Sequence, residues 1–225
     1  MLFRKKKTRR QDDKIWAAKS LKFDGICDEI LKASKRSYMV LAVAHFERTL
    51  EELKESLDAR GLKYRLFKES WDISCFDQDE IEQEGFKTIV LLSDVVFSQG
   101  QLGDRPRQAG SEKRRIHIVV VEHHPLLEKD ELVLSFAAGL PFVTTVCFHA
   151  SLDEPLMKLF GADRLASMLT RLGRSKTSPV IHPMITSAIA TAQKKIKKEA
   201  TGDERVESAE DWFYYNFPPS RGRMR

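Results

Sequence analysis

Ile116-His117-Ile118-Val119-Val120-Val121-Glu122-His123-His124 decides how the rest of the chain is read. Six nearly continuous apolar and β-branched residues end abruptly in three polar ones, as expected of a strand buried on both faces of a parallel sheet. On either side the pattern repeats. Tyr38–Phe46, Tyr64–Phe67, Thr88–Leu92 and Val143–Phe148 are further short apolar runs. Between them lie helical stretches: 12–35, 47–60 with the stripe Leu50, Leu53 and Leu57, and Glu128–Ala138. Gly61 stands where the second helix needs a C-terminal cap. Short strands alternating with amphipathic helices predict a three-layer α/β domain with a mostly parallel sheet.

After Phe148 the strand pattern stops. Asp153–Phe160, Asp163–Leu172 and Pro183–Ala200 have helical spacing, with Gly161, Gly173 and Pro179 as breaks and His182 opening the last helix. Residues 98–115 are polar and glycine-rich and read as a loop. The organisation expected is a basic disordered leader over 1–11, an α/β domain over 12–175, and a helical extension over 176–225 carrying an aromatic cluster and an Arg-rich tail.

Length and charge narrow the function. The 225 residues carry 42% hydrophobic and 32% charged side chains, enough to bury a core and exclude wholesale disorder. The longest apolar runs are far too short to span a membrane. The net charge of +5 resides in the termini. Six basic residues (Arg4, Lys5, Lys6, Lys7, Arg9 and Arg10) open the chain and Arg221, Arg223 and Arg225 close it; without these nine, 29 basic residues face 33 acidic ones. The tails can attract anionic lipid or nucleic acid by neutralising phosphates, but no interleaved aromatics would read bases. Cys27, Cys75 and Cys147 lie far apart and read as reduced, buried thiols.

The motifs carry little chemistry of their own. No G-x-x-x-x-G-K-[ST] and no G-x-G-x-x-G occurs. Glu122-His123-His124 follows the best strand, where open α/β sheets bind ligands, but neighbouring residues there point different ways and no third ligand is in register for a metal. His45, His117 and His149 alternate with apolar neighbours and read as structural. Cys147 with His149 lacks an orienting third group for a nucleophile pair. The acidic run Asp77–Glu84 reads as a solvated face. Trp212, Phe213, Tyr214, Tyr215 and Phe217 can dock a partner or fold back on their own domain, the latter being favoured. No metal or cofactor is expected.

The stretch Phe148-His149-Ala150-Ser151-Leu152-Asp153-Glu154-Pro155-Leu156-Met157-Lys158-Leu159-Phe160-Gly161-Ala162-Asp163-Arg164-Leu165-Ala166-Ser167-Met168-Leu169 resembles SecA, the motor ATPase of bacterial preprotein translocation. The likeness continues through Leu172-Gly173 and His182-Pro183-Met184-Ile185-Thr186 to Gln193-Lys194-Lys195, and upstream through Lys22-Phe23 and Asp28-Glu29-Ile30. It implies a RecA-like fold, the family's second nucleotide-binding domain followed by the start of its helical scaffold, without the domain that holds the Walker motifs. The family's strand ending in Glu-Arg-His leads to a helix whose arginines reach the nucleotide's terminal phosphates. Counted from Glu122, that helix falls on Leu132–Phe142, where Ser135, Phe136 and Gly139 stand and no arginine remains. The family's Gly-Arg-Gly-Thr-Asp loop falls near Asp94–Gln99, which keeps none of it in register.

An arginine finger is worth about 10³–10⁵ in rate, and neither Phe nor Gly supplies its charge or fork. The expectation is therefore an inactive SecA-like accessory or regulatory protein without ATPase activity. It would bind protein partners at the export machinery, in the cytoplasm or peripherally at the inner membrane face. A nucleic-acid-binding module using the basic tails is the alternative, and a half-site completed by another chain a third.

Overall fold

The computed structural model describes residues 8–36, 38–67, 87–97, 115–159 and 177–217. The acidic run Asp77–Glu84, the loop before Arg115, the helix expected over Asp163–Leu172, Arg4 to Lys7 and the C-terminal arginines lie outside the described residues.

The expected strands form at Met39–Ala44 (β3), Arg65–Phe67 (β4), Thr88–Leu92 (β5), Arg115–Val120 (β6) and Val143–Ser151 (β7). They lie in the order β4-β5-β3-β6-β7, all parallel. Helices α1 (Lys19–Lys35) and α2 (Glu47–Ala59) cover one face; α3 (Ser93–Phe97) and α4 (Leu127–Gly139) cover the other. Right-handed crossovers demand this, because connections running in opposite directions along the sheet leave their helices on opposite faces. The strands are buried on both sides, from Val40 to Ala44, Ile89 to Leu91 and Ile116 to Val120. Burying this apolar surface is the main favourable term of the fold.

Two expectations at the N-terminus need correction. Thr8–Arg10 is a strand (β1), parallel to β7 with Thr8 opposite Thr144, so the leader expected to be disordered through residue 11 is ordered from Thr8. Lys14–Trp16 is a second strand (β2), and the helix expected from residue 12 starts at Lys19. The reason is tertiary: Ile15 and Trp16 have no helical partner face but are buried where β2 pairs with β7 on one side and with Val180–Ile181 (β8) on the other.

Local signals hold elsewhere. Gly61 takes φ +63° just past α2, where the amide of Leu62 donates to the Leu57 carbonyl and that of Gly61 to Asp58, both at 3.0 Å. This is the Schellman arrangement, which glycine adopts without a Cβ penalty. After α5 (Pro155–Leu159), His182 caps α6 (Pro183–Glu199), accepting from the Met184 amide at 3.2 Å, with Pro183 in the first turn. Ser208 caps α7 (Ala209–Asn216) by accepting from the Asp211 amide at 3.1 Å.

The described part of the helical extension is joined to the sheet domain. β8 lengthens the sheet, and Ile189, Ile196 and Trp212 share one apolar cluster with Ile15, Phe46, Leu126 and Leu156 above the carboxyl ends of the strands.

Candidate functional site

The strand order reverses at β3, with β5 on one side and β6 on the other. In such sheets the crevice for ligands opens at the carboxyl ends of the two strands flanking the reversal. Here these ends are His45-Phe46 and Glu122-His123-His124, and they are filled by a buried polar network. The Glu122 carboxylate accepts from the amides of His45 (3.1 Å) and Phe46 (3.2 Å) and from the Thr49 hydroxyl (2.6 Å). It thereby satisfies free amides at the start of α2. Burial pushes its pKa up, opposed by Lys22 and the Thr49 hydrogen bond.

His123 lies between two carboxylates, with Nδ1 2.7 Å from Asp130 and Nε2 3.3 Å from Asp13, and its ring stacks on Phe148 at 4.9 Å. Burial alone would strip its proton, but Asp130 and Asp13 outweigh it and raise the pKa to about 10. Asp130 and Asp13 are held below the ordinary carboxylate range: burial opposes this, and the contacts to His123 prevail. His124 goes the other way. Burial and the neighbouring His45 lower it to about 3, and its Nδ1 accepts from the Leu126 amide at 3.0 Å. Gln193 on α6 closes the network by donating to Asp130 (2.7 Å) and to the His124 carbonyl (2.8 Å). Trp212 on α7, 1% exposed, meets the His124 ring edge-on at 5.7 Å.

What remains open is a cavity of about 90 Å³ bordered by His45, Ser93, His124, Asp203, Arg205 and Trp212. Small-molecule pockets span ~300–1,000 Å³. Ser93, His45 and Asp130 follow one another in the order of a nucleophile–base–acid relay, with 3.0 Å at each step. The His45 Nε2 atom makes no aligned hydrogen bond, however, and Ser93 is buried. The cavity leaves no room for an acyl substrate against Ser93.

A second polar cluster lies beneath α1. His117, Thr145, Cys147 and His149 all face that helix, and Glu29 reaches in from it. Glu29 accepts from His117 Nε2 at 2.7 Å, pairs with Lys14, and lies 3.2 Å from His149 Nε2. Burial opposes its ionisation, but His117, His149 and Lys14 hold it far below the usual range. The orienting group expected to be missing beside Cys147 and His149 is therefore present, supplied by a helix distant in sequence.

The Glu29, Cys147 and His149 donor atoms lie within 4.8 Å of one another, the spacing of a metal site. Their chemistry does not fit one. The Trp16 indole N–H, which can only donate, points at His149 Nδ1 from 3.1 Å, so that nitrogen offers a lone pair and Nε2 keeps the proton. Burial and then Glu29 push the Cys147 thiol up to about 12, and Lys14 already supplies the cation that Glu29 requires. A thiol so held is no nucleophile.

The other candidates fall apart in space. Arg9 is exposed on β1, whereas Arg10 pairs with Asp13 at 3.1 Å and lies 5.0 Å over the Phe148 ring. The tail reading therefore loses Arg10 to the body. Within α4, Phe136 is buried in the core while Ser135 and Gly139 face solvent. The aromatic cluster divides: Trp212, Phe213 and Phe217 pack inward, and Tyr214 and Tyr215 are 76% and 59% exposed. What sequence reasoning missed is the acidic half of both clusters (Asp13, Glu29, Asp130), since nothing in the spacing links these residues to the histidines.

No helix among the described residues is long and apolar enough to cross a membrane. No family model matches the sequence. Among solved structures, the C-terminal part of the Fun30 ATPase domain overlaps 79% of this chain at TM-score 0.42 and 10% identity, too loosely to bear on function. Among curated proteins, Protein translocase subunit SecA 1 of Chlorobium chlorochromatii is 25% identical over 191 residues, covering 84% of this chain and 18% of that protein. SecA of Campylobacter concisus is 28% identical over 193 residues, 83% and 21% respectively. SecA of Caldicellulosiruptor saccharolyticus is 26% identical over 188 residues, 82% and 22%. The chain thus spans about a fifth of the length of the curated relatives it matches, and over most of its own length it is similar in sequence to a segment of the SecA translocase subunit.

Proposed function

We propose that this protein is a catalytically inert relative of the translocase subunit that acts by binding a protein of the export machinery. The observation that carries this reading is Phe136. On the helix that the resemblance aligns with the arginine-bearing one, the side chain at this position is apolar and buried in the core, and its neighbours Ser135 and Gly139 offer no charge. Phosphoryl transfer depends on cations placed against the transferring group; the cations at the strand-end cavity, Lys129 and Arg205, are instead paired with Asp203 and with Glu47 and Asp94. The small cavity at the strand ends, about 90 Å³ and bordered by Trp212, supports the same reading. The protein works in the cytoplasm and reaches the membrane face through its partner. Tyr214 and Tyr215, exposed side by side on α7, are the partner contacts, since aromatic side chains dominate binding hot spots.

The test has two parts. The purified chain is assayed for Mg²⁺-dependent ATP turnover, and is used at low and moderate salt to recover partners from a native lysate. Background-level turnover and recovery of a translocase subunit, reduced by Tyr214→Ser with Tyr215→Ser, are expected. Turnover that survives a contaminant control overturns the inert reading. Recovery of nucleic acid alone, lost steeply with salt, overturns the protein-partner reading in favour of the basic tails.

A further inference from the structure

The polar wall beneath α1 opens onto a groove of about 520 Å³, within the size range of small-ligand sites and far larger than the cavity at the strand ends. It lies beside α1 near the starts of β3, β6 and β7, where Tyr38, His117 and Thr145 line it, so it owes nothing to the strand-end face on which the proposed function rests. Its floor includes the Trp16 indole. This ring lies so tightly across Gly25 that a Cβ there would come within 1.9 Å of Trp16 Cη2.

The charges around the groove do not cancel. Glu29 is engaged by Lys14 and His117, while Asp28 shares Arg60 with Asp24, each at 2.6 Å, so that trio keeps one negative charge against the cations of the groove. Lys32 and Arg36 line it from the last turn of α1 and just beyond, four residues apart and hence on one helix face. Both are exposed, and among the described residues neither side chain enters an ion pair. The carboxyl end of a helix carries about half a negative charge, less than these two cations and Lys35 supply together. A surplus of positive charge therefore faces a concave, donor-lined space. Gln11, Thr145 and Ser178 provide hydrogen-bonding groups around it, and the His149 Nε2–H behind Glu29 is a buried donor with no aligned acceptor.

We propose that this groove binds a small organic oxyanion, a phosphate- or carboxylate-bearing molecule whose charged group is held by Lys32 and Arg36 and whose body lies along Trp16. The planar guanidinium of Arg36 can grip two oxygens at once, and Lys32 adds a point charge beside it. Two cations without an ion pair among the described residues, side by side on one groove, suit a compact ligand; a nucleic-acid strand would need a longer basic track.

The experiment titrates the full chain, without partner, with pyrophosphate in one arm and citrate in the other at low salt, by calorimetry. Saturable binding at about 1 mM or tighter is expected in at least one arm. Pyrophosphate alone marks a phosphate ligand, citrate alone a carboxylate, and both a general oxyanion site. Lys32→Ala with Arg36→Ala, two exposed positions, is expected to weaken binding at least about tenfold. Lys194→Ala with Lys195→Ala, exposed on α6, leaves it unchanged. Absence of binding in both arms, or equal loss in the α6 pair, overturns the proposal. Neither result depends on whether a translocase subunit is recovered or ATP is turned over.

Discussion

Gln193 on α6 donates its side-chain amide to the Asp130 carboxylate of α4 at 2.7 Å, within the buried network at the strand ends. Asp130 also accepts from the His124 amide at 3.0 Å and faces His123 and His45, so this one carboxylate ties the extension to the sheet domain. Removing the amide leaves a charged acceptor and the His124 carbonyl short of a donor in the interior. Gln193→Leu is expected to destabilise the chain by about 1–3 kcal/mol, as read from urea unfolding. It should also speed proteolysis within residues 183–217. Unchanged stability would mean that α6 is held by its apolar contacts alone.

Stability should fall off on both sides of neutrality, for different histidines. His123 is raised from 6.5 to about 10, so its contribution is full below about pH 6.5 and is lost as pH rises through 10. His124 is lowered from 6.5 to about 3, so the unfolded chain takes up the proton first and stability drops as pH falls from about 6.5 towards 3. The lowered carboxyls of Asp13 and Asp130 deepen the acid loss. Chemical denaturation across this range checks the shape; His123→Gln should flatten the alkaline limb and reduce the share of the acid limb that Asp13 and Asp130 contribute, leaving the share from His124.

Gly25→Ala places a methyl group inside the Trp16 ring, 1.9 Å from its nearest atom. Relief requires the indole or α1 to move, which costs about 1–3 kcal/mol for overpacking of this kind. Trp16→Leu vacates the space. Thermal melts of the two single variants and the double should show non-additive losses, the double falling short of the sum; additivity would mean that α1 shifts without touching the indole.

The thiols should be inert in the folded state. Cys27 is pushed up to about 11 and Cys147 to about 12, chiefly by burial, so neither holds thiolate near neutral pH. In a Cys75→Ser background, a thiol reagent should label the native chain only as fast as it unfolds. Added Zn²⁺ should leave the melting temperature unchanged, because Trp16 fixes the proton on His149 Nε2. A zinc-dependent rise would show that the indole contact yields to the metal.

Phe136→Ala distinguishes a core residue from a relic of a phosphate-facing surface. Phe136 is 9% exposed and belongs to the main apolar cluster, so truncation is expected to cost about 3–5 kcal/mol in denaturant unfolding. A loss below about 1 kcal/mol, the range of surface substitutions, would remove the argument that α4 has become a packing helix.

The sequence by itself determined the layered architecture. Apolar runs such as Met39–Ala44 and Ile116–Val120 can only be strands covered on both faces, and the stripe of Leu50, Leu53 and Leu57 can only be one helix side. Capping was equally local, at Gly61 and His182. The resemblance in residues 148–169 and 182–195 also rests on the order of residues alone.

Only the tertiary structure decided the edges and the polar interior. Thr8–Arg10 and Lys14–Trp16 are too short to announce themselves, and they are strands because β7 offers them an unpaired edge. From the sequence His149 reads as a structural histidine, and His123 as part of a strand-end run with no third ligand in register. Folding gives them Asp13, Asp130 and Glu29, which approach from a β-strand lead-in and two helices. Backbone pairing and side-chain periodicity act between near neighbours and leave a pattern in the chain. A buried charge needs one partner at hydrogen-bonding distance, and that partner can come from any position the topology brings close.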